Sequence, residues 1–368
     1  GQIRRQLRSD HPGVSVREFL GGVEYTTLAS ETLDEIDTGE ILVMTPEKCS
    51  LALRQSPEAF SDLSLLVFDE AHTLGETRGR GVLSELVLAE VLVRANEVTL
   101  LFMSALIENP EVLGAWLASA QDLEAVVISD PWRPTRTLRA VVGIDSEATL
   151  EASDEPSERL AKMPPHRKHE QFDGRLAVLA GLRGPWSTEE TEDYSLHRIG
   201  ATTPMQITRK DDGSIVVEQE SAKVRQTVES LAQLLGERGQ KTVAFLPRSR
   251  HYSFRAALSL EGFGEIELGE TVDALLGLAS AELGVSSRLE EALRKGAGVH
   301  TSALLIEERR ASEIAFTDGN VSVLFATGTL AQGLNLPATA VIIGGTKIGY
   351  LSRTRFDGDR FSWIQSSF

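Results

Sequence analysis

Short apolar runs alternate with longer amphipathic stretches along most of the chain. In the first part, a basic amphipathic segment at 3–9 precedes a strand-like run at 14–20 and a Gly21-Gly22 turn. The apolar run 41–44 ends at Thr45-Pro46, and proline there suits the first turn of a helix that takes in Glu47 and Lys48. A strand at 64–68 is followed by a helix over 81–95, with apolar residues at helical spacing, and by a strand at 98–103. A helix at 110–119 and a strand at 124–128 complete this half. Such alternation predicts a parallel sheet flanked by helices on both faces.

Trp132-Arg133-Pro134-Thr135 punctuates the pattern, and residues 137–143 are again strand-like. Between about 145 and 225 the alternation decays through an acidic run, Pro164-Pro165 and a polar stretch at 187–193. That region reads as a domain junction with a loop, apart from a hairpin over 205–219 turning at Asp211-Asp212-Gly213. Regular alternation returns with a helix at 222–236, a strand at 242–246, a helix at 250–260 and mostly helical residues at 270–295. Strands follow at 297–300, 321–325 and 340–343. The fold class is therefore α/β, with two units in tandem.

Composition narrows the class of molecule. With 368 residues, 41% hydrophobic and 25% charged, the chain is of ordinary globular make-up and long enough for two or three domains. Its single cysteine, Cys49, excludes an internal disulfide framework and a cysteine-rich zinc module, and fits a reducing cytoplasm. No apolar stretch is long enough to span a membrane, so no membrane partner is expected. The net charge of −17 argues against a generally basic surface, so any nucleic acid would be held by local cations and backbone groups.

The candidate chemistry lies at 66–72, where the run Leu66-Val67-Phe68 ends on Asp69-Glu70-Ala71-His72. An apolar run of this kind suits a strand covered on both faces, and in parallel sheets ligands bind beyond the carboxyl ends of the strands. An acidic residue at that place can hold Mg²⁺ for phosphoryl transfer, and a second group can position the attacking water. The plainer reading is a solvated strand-to-helix turn whose acids favour a helix N-terminus.

Further segments place this tetrad in a wider pattern: Thr45-Pro46-Glu47-Lys48, Ser104-Ala105-Leu106, Arg248-Ser249-Arg250, and the run from Ala326 to Pro337 reading Ala-Thr-Gly-Thr-Leu-Ala-Gln-Gly-Leu-Asn-Leu-Pro. Together with His300 and the Glu308-Arg309 pair, they resemble the superfamily-two DEAD/DEAH-box helicases. The resemblance is to the Ski-like branch, with its Hel-type DNA helicases and exosome-type RNA helicases, and it covers most of the chain outside 145–220. It implies two RecA-like parallel-sheet domains, at 1–137 and 222–368, separated by a junction with an inserted loop and hairpin at 138–221. The cofactors it implies are ATP and Mg²⁺.

Residue by residue, the resemblance gives Asp69 the metal, Glu70 the water, and His72, Ser104 and Ala105 the coupling of the nucleotide site to the rest of the motor. Gly333 and Asn335 would face the nucleotide. Gly21, Gly22, Thr45, Pro46 and Thr327 would contact the backbone of single-stranded or partly duplex DNA or RNA. Simpler readings stand beside these: a helix start at Thr45-Pro46, an N-cap at Ser104, tight turns at the glycines.

The chain contains no Gly-x-x-x-x-Gly-Lys-Ser/Thr segment. The run Gly236-Glu237-Arg238-Gly239-Gln240-Lys241-Thr242 imitates one, but it lacks the glycine before the lysine and runs from helix to strand. The family's Gln-x-x-Gly-Arg-x-Gly-Arg segment is also missing. The expectation is thus of a helicase fragment, cut at both ends and inactive alone. A nucleic-acid-binding scaffold without catalysis, or a duplex translocase of a defence system, remain the alternatives.

Overall fold

The computed structural model describes residues 11, 13–19, 36, 40–75, 80–95, 97–104, 107, 109–121, 124–129, 138–181, 194–218, 223–246, 250–264, 266–327 and 336–345. The chain divides into two compact units, 1–132 and 133–368.

In the first unit, β1 (Val16–Phe19) pairs in parallel with β2 (Ile41–Met44), and β3 (Leu65–Phe68) pairs in parallel with β4 (Thr99–Phe102). Helix α1 (Pro46–Gln55) begins where the sequence marks it. Thr45 is the N-cap, its hydroxyl accepting from the Lys48 N–H at 3.4 Å, with Pro46 at the first turn. Leu51, Ala52 and Leu53 of α1 pack with Val87 and Val91 of α2 (Arg80–Arg94), and Leu42, Leu66 and Leu100 of the strands rest on them. This core holds the ends of β3 and β4 in place.

Two expectations fail in this unit. The strand β3 is not covered on both faces: Leu66 faces the helices, whereas Leu65 and Val67 are 48% and 46% exposed and Leu101 of β4 is 46% exposed. No described element covers that side. Residues 124–128, after helix α3 (Pro110–Gln121), form no strand, and Val126 and Ile128 stand 86% and 88% exposed. A β-forming composition makes a strand only where a partner edge is available, and none of the described strands pairs with this run.

The second unit opens with an antiparallel sheet in the order β5-β6-β7-β8, formed by Arg139–Ile144, His169–Gly181, Tyr194–Arg209 and Ile215–Glu218. Helix α4 (Ser146–Lys162) crosses between β5 and β6. Where the sequence pattern suggests a loop-rich junction, the chain is therefore mostly regular. The helix is hard to see because Pro156 lies inside it and its buried side includes Thr149 and Ser153. The β7–β8 hairpin turns at Asp211-Asp212-Gly213, where Gly213 has φ +86 and the Asp212 carboxylate accepts from the Ser214 N–H.

Asp145 ties this module together. One carboxylate oxygen caps α4 through the Ala148 N–H at 3.0 Å, and the other accepts from Nε of Arg198 on β7 at 2.8 Å. The helix-cap hydrogen bond, and then the Arg198 guanidinium, hold its carboxyl below the usual carboxylate range. The folded value lies below the unfolded one, so this stabilisation is present above the ordinary carboxylate pKa and lost as pH falls through the folded value. Asp145→Asn is accordingly expected to lower the urea midpoint of the second unit at neutral pH. The gap to wild type should close in acid, and a gap of constant size at all pH values would refute the assignment.

A parallel sheet of order β10-β11-β9-β12 follows, from Ala297–His300, Val323–Ala326, Thr242–Phe245 and Ala340–Ile343. Its first three strands are wholly buried. Around it lie α5 (Val224–Glu237), α6 (Arg250–Ser259), α7 (Glu270–Leu283), α8 (Arg288–Arg294) and α9 (Ile306–Asp318), and the largest core of the chain forms between these layers. The helical stretch expected over 270–295 is two helices, because Gly284 at φ +69 takes the left-handed conformation that ends α7. The phosphate-loop imitation is the turn from α5 into β9, as its reversed order predicts.

Helix α5 lies between the two sheets of this unit. Leu231 and Leu234 meet Ala201 and Ile199 of β7 and Ile342 of β12. Ser230 accepts from the Thr202 N–H at 2.9 Å.

Candidate active site

Asp69 and Glu70 emerge from the C-terminal end of β3, as a parallel strand would present groups to a ligand. The strand ends are locked together. The rings of Phe68 and Phe102 stack with centroids 5.6 Å apart, Met103 N–H donates to the Phe68 carbonyl at 2.9 Å, and Ala71 N–H donates to the Met103 carbonyl at 3.0 Å. Both residues leading out of the two strands, toward Glu70 and toward Ser104, are thereby held side by side.

Glu70 has φ 56 and ψ 43, and among the described residues it is the sole non-glycine at positive φ. A left-handed backbone costs a non-glycine residue roughly 1–2 kcal/mol, and such strain concentrates at functional sites. Here it breaks the strand sharply and starts the short turn 71–73. Asp69 is exposed, and one of its carboxylate oxygens accepts from the Glu70 N–H at 2.9 Å.

His72 joins the parts. Its Nδ1 lies 3.2 Å from a Glu70 carboxylate oxygen and 3.2 Å from the Ser104 hydroxyl. With Nδ1 protonated, the ring donates toward the carboxylate and is anchored by the serine across the two strand ends. Among the described residues no helix begins at Ser104, and Ala105 and Leu106 lie outside them. Glu85 of α2 adds a support that sequence reasoning missed, accepting from the Gly75 N–H at 2.7 Å and tying down the far end of the turn. Nothing in its sequence context marks it, since one glutamate on the polar side of a helix is ordinary.

The remaining candidates separate into two groups. Thr45 and Pro46 form the N-terminus of α1, and Thr327 follows β11 with its N–H donating to the His300 carbonyl at 3.1 Å. Gly21, Gly22, Ala105, Gly333 and Asn335 lie outside the described residues, as does Arg248. His300 is buried, with Nε2 at 2.9 Å from the Glu313 carboxylate, and Glu308 is a buried helix-capping group that accepts from the Leu305 N–H and the Ser287 hydroxyl. Among the described residues no helix is long and apolar enough to cross a membrane.

Residues 2–112 match the family model of the DEAD/DEAH box helicases. Three similar proteins are the ATP-dependent DNA helicase Hel308 of Methanococcus vannielii, Superkiller complex protein 2 of Mus musculus and the exosome RNA helicase MTR4 of Homo sapiens. They are 23%, 27% and 23% identical over 85%, 87% and 89% of this chain, which covers 34%, 24% and 28% of their own lengths. The similarity to a DEAD/DEAH box helicase thus covers residues 2–112 of this chain by the family model and most of its length by these relatives. The chain spans about a third of the length of curated relatives that it matches.

Proposed function

We propose that the complete protein is an ATP-dependent helicase or translocase moving along single-stranded DNA or RNA, from 3′ to 5′, and that this chain supplies part of its motor. The reading is carried by the acidic turn after β3, with His72 within hydrogen-bonding distance of both Glu70 and Ser104. Asp69 would hold the Mg²⁺ of ATP. Its exposed carboxylate, one oxygen of which accepts from the neighbouring Glu70 N–H, suits that ion. Bound Mg²⁺ would neutralise charge on the phosphates.

Glu70 then orients and deprotonates the attacking water, and the left-handed turn keeps its carboxylate beside His72. His72, anchored on Ser104, senses whether Glu70 is engaged and passes that to the strand end after β4. Thr45, Pro46, Thr327, Gly21 and Gly22 meet the nucleic-acid backbone, while Ala105 assists coupling and Gly333 and Asn335 face the nucleotide. Nucleotide binding and hydrolysis would alternately close and open the two motor domains around the strand.

The test is ATP hydrolysis and strand displacement by the complete protein, with and without single-stranded nucleic acid. Stimulated turnover is expected, and its absence with both DNA and RNA would remove the proposal. The 368-residue chain by itself has no Gly-x-x-x-x-Gly-Lys-Ser/Thr segment to cradle a triphosphate, so its own turnover should be negligible. Stimulated hydrolysis by the isolated chain, abolished in Glu70→Gln, would contradict that expectation.

A further inference from the structure

The antiparallel module of the second unit has no role in the motor chemistry above. One end of it is nonetheless chemically distinct within a chain of net charge −17. The segment 162–169 reads Lys162-Met163-Pro164-Pro165-His166-Arg167-Lys168-His169, with no acidic residue. The sheet register sets it beside the end of β7: His169 pairs with Thr208, and the Arg209 N–H donates to the Lys168 carbonyl at 2.7 Å. Lys162, Arg167, Lys168, Arg209 and Lys210 thus share one end of the sheet.

The local acids only partly offset them. Lys168 meets Asp211 at 2.7 Å, Lys162 meets Glu158 at 3.7 Å, and Asp212 is engaged by the Ser214 N–H and hydroxyl. Arg209 spends its guanidinium on the Met163 and Pro164 carbonyls, which fixes the loop without cancelling its charge. The Arg167 and Lys210 side chains are exposed and make no hydrogen bond or close ion pair with described residues, and the Lys210 charge contributes, after the Ser214 hydrogen bonds, to holding the Asp212 carboxyl below its usual range. Five cations therefore stand against three carboxylates, on a loop stiffened by Pro164 and Pro165.

We infer that this end of the antiparallel sheet is a contact for the phosphate backbone of a nucleic-acid strand. The side of the sheet that continues from it carries His169, Gln171, Asp173, Thr202, Gln206, Thr208 and Glu218, and among the described side chains no phenylalanine, tyrosine or tryptophan for bases to stack on. The His169 ring is held by Thr208 and Gln206, and Glu218 by Gln206 and Thr208. Phosphate charge alone would be recognised, making the contact indifferent to sequence and sensitive to salt. The inference stands apart from the ATPase reading, because it needs neither nucleotide nor Glu70.

The experiment measures binding of a labelled single-stranded oligonucleotide to the 368-residue chain, without nucleotide, across a salt series. Arg167→Glu with Lys210→Glu should weaken binding by roughly tenfold or more and reduce the slope of log affinity against log salt by about two. The neutral pair Arg167→Gln and Lys210→Gln should fall between this and wild type, which guards against misfolding of the charge-reversed protein. The same change in net charge placed at the exposed Arg94 and Arg238 should have a smaller effect. An unchanged slope in both patch variants would overturn the inference. So would equal losses in the patch and control variants, no oligonucleotide binding by wild type, or a preference for anionic lipid vesicles over the oligonucleotide.

Discussion

Glu70→Gln in the complete protein should lower nucleic-acid-stimulated ATP turnover by about a hundredfold to ten-thousandfold, the range for losing a positioned general base. The amide keeps the size of the carboxylate and can still hydrogen-bond, so the turn after β3 should survive. Glutamine meets the same backbone strain at φ 56, which makes the substitution nearly neutral for stability. The loss should therefore appear in kcat, with nucleotide and nucleic-acid binding close to wild type. Steady-state turnover combined with equilibrium binding of a labelled nucleotide separates the two. Turnover near the wild-type value would show that Glu70 does not handle the attacking water, and the acidic turn would revert to a solvated strand end.

Phe316→Ala should be the most damaging single change to the second unit. The ring is fully buried on α9, in the core it shares with Val299, Leu324 and Phe325. Removing a buried aromatic ring costs about 3–5 kcal/mol through lost transfer energy and the cavity left behind. Net stabilities of folded domains are about 5–15 kcal/mol, so a large part of the margin would go. Denaturant unfolding followed by far-ultraviolet circular dichroism should show the midpoint of the second unit falling sharply. Ile306→Ala at the start of the same helix, where the side chain is 66% exposed, should stay within about 0.5 kcal/mol. Similar midpoints for the two variants would mean that the core is not organised around α9.

These substitutions differ in how visible their targets are along the chain. Asp69-Glu70 stand at the end of an apolar run, so local pattern reveals them, whereas Phe316 lies in α9, a helix that the pattern of apolar positions does not mark. The parallel strands at 297–300 and 340–343 fall where the pattern puts them, because each is a short apolar run bounded by polar turns. The α/β class follows from the same alternation. The run 124–128 has that composition as well and forms no strand, since pairing depends on an available edge that no local window contains.

The acid-tipped strand, the helix start at Thr45-Pro46, the hairpin at 211–213 and the reversed order of the glycine-lysine imitation were decided by the chain itself, since each depends on neighbours within a few residues. Tertiary structure alone decided the left-handed turn at Glu70, the meeting of His72 with Ser104 across 32 positions and the grip of Asp145 on Arg198 across 53. It also decided that the described residues at 139–181 and 194–218 build an antiparallel sheet with a basic end. These features arise when strands pair and side chains far apart in sequence are brought into hydrogen-bonding distance, and periodicity carries no record of such encounters.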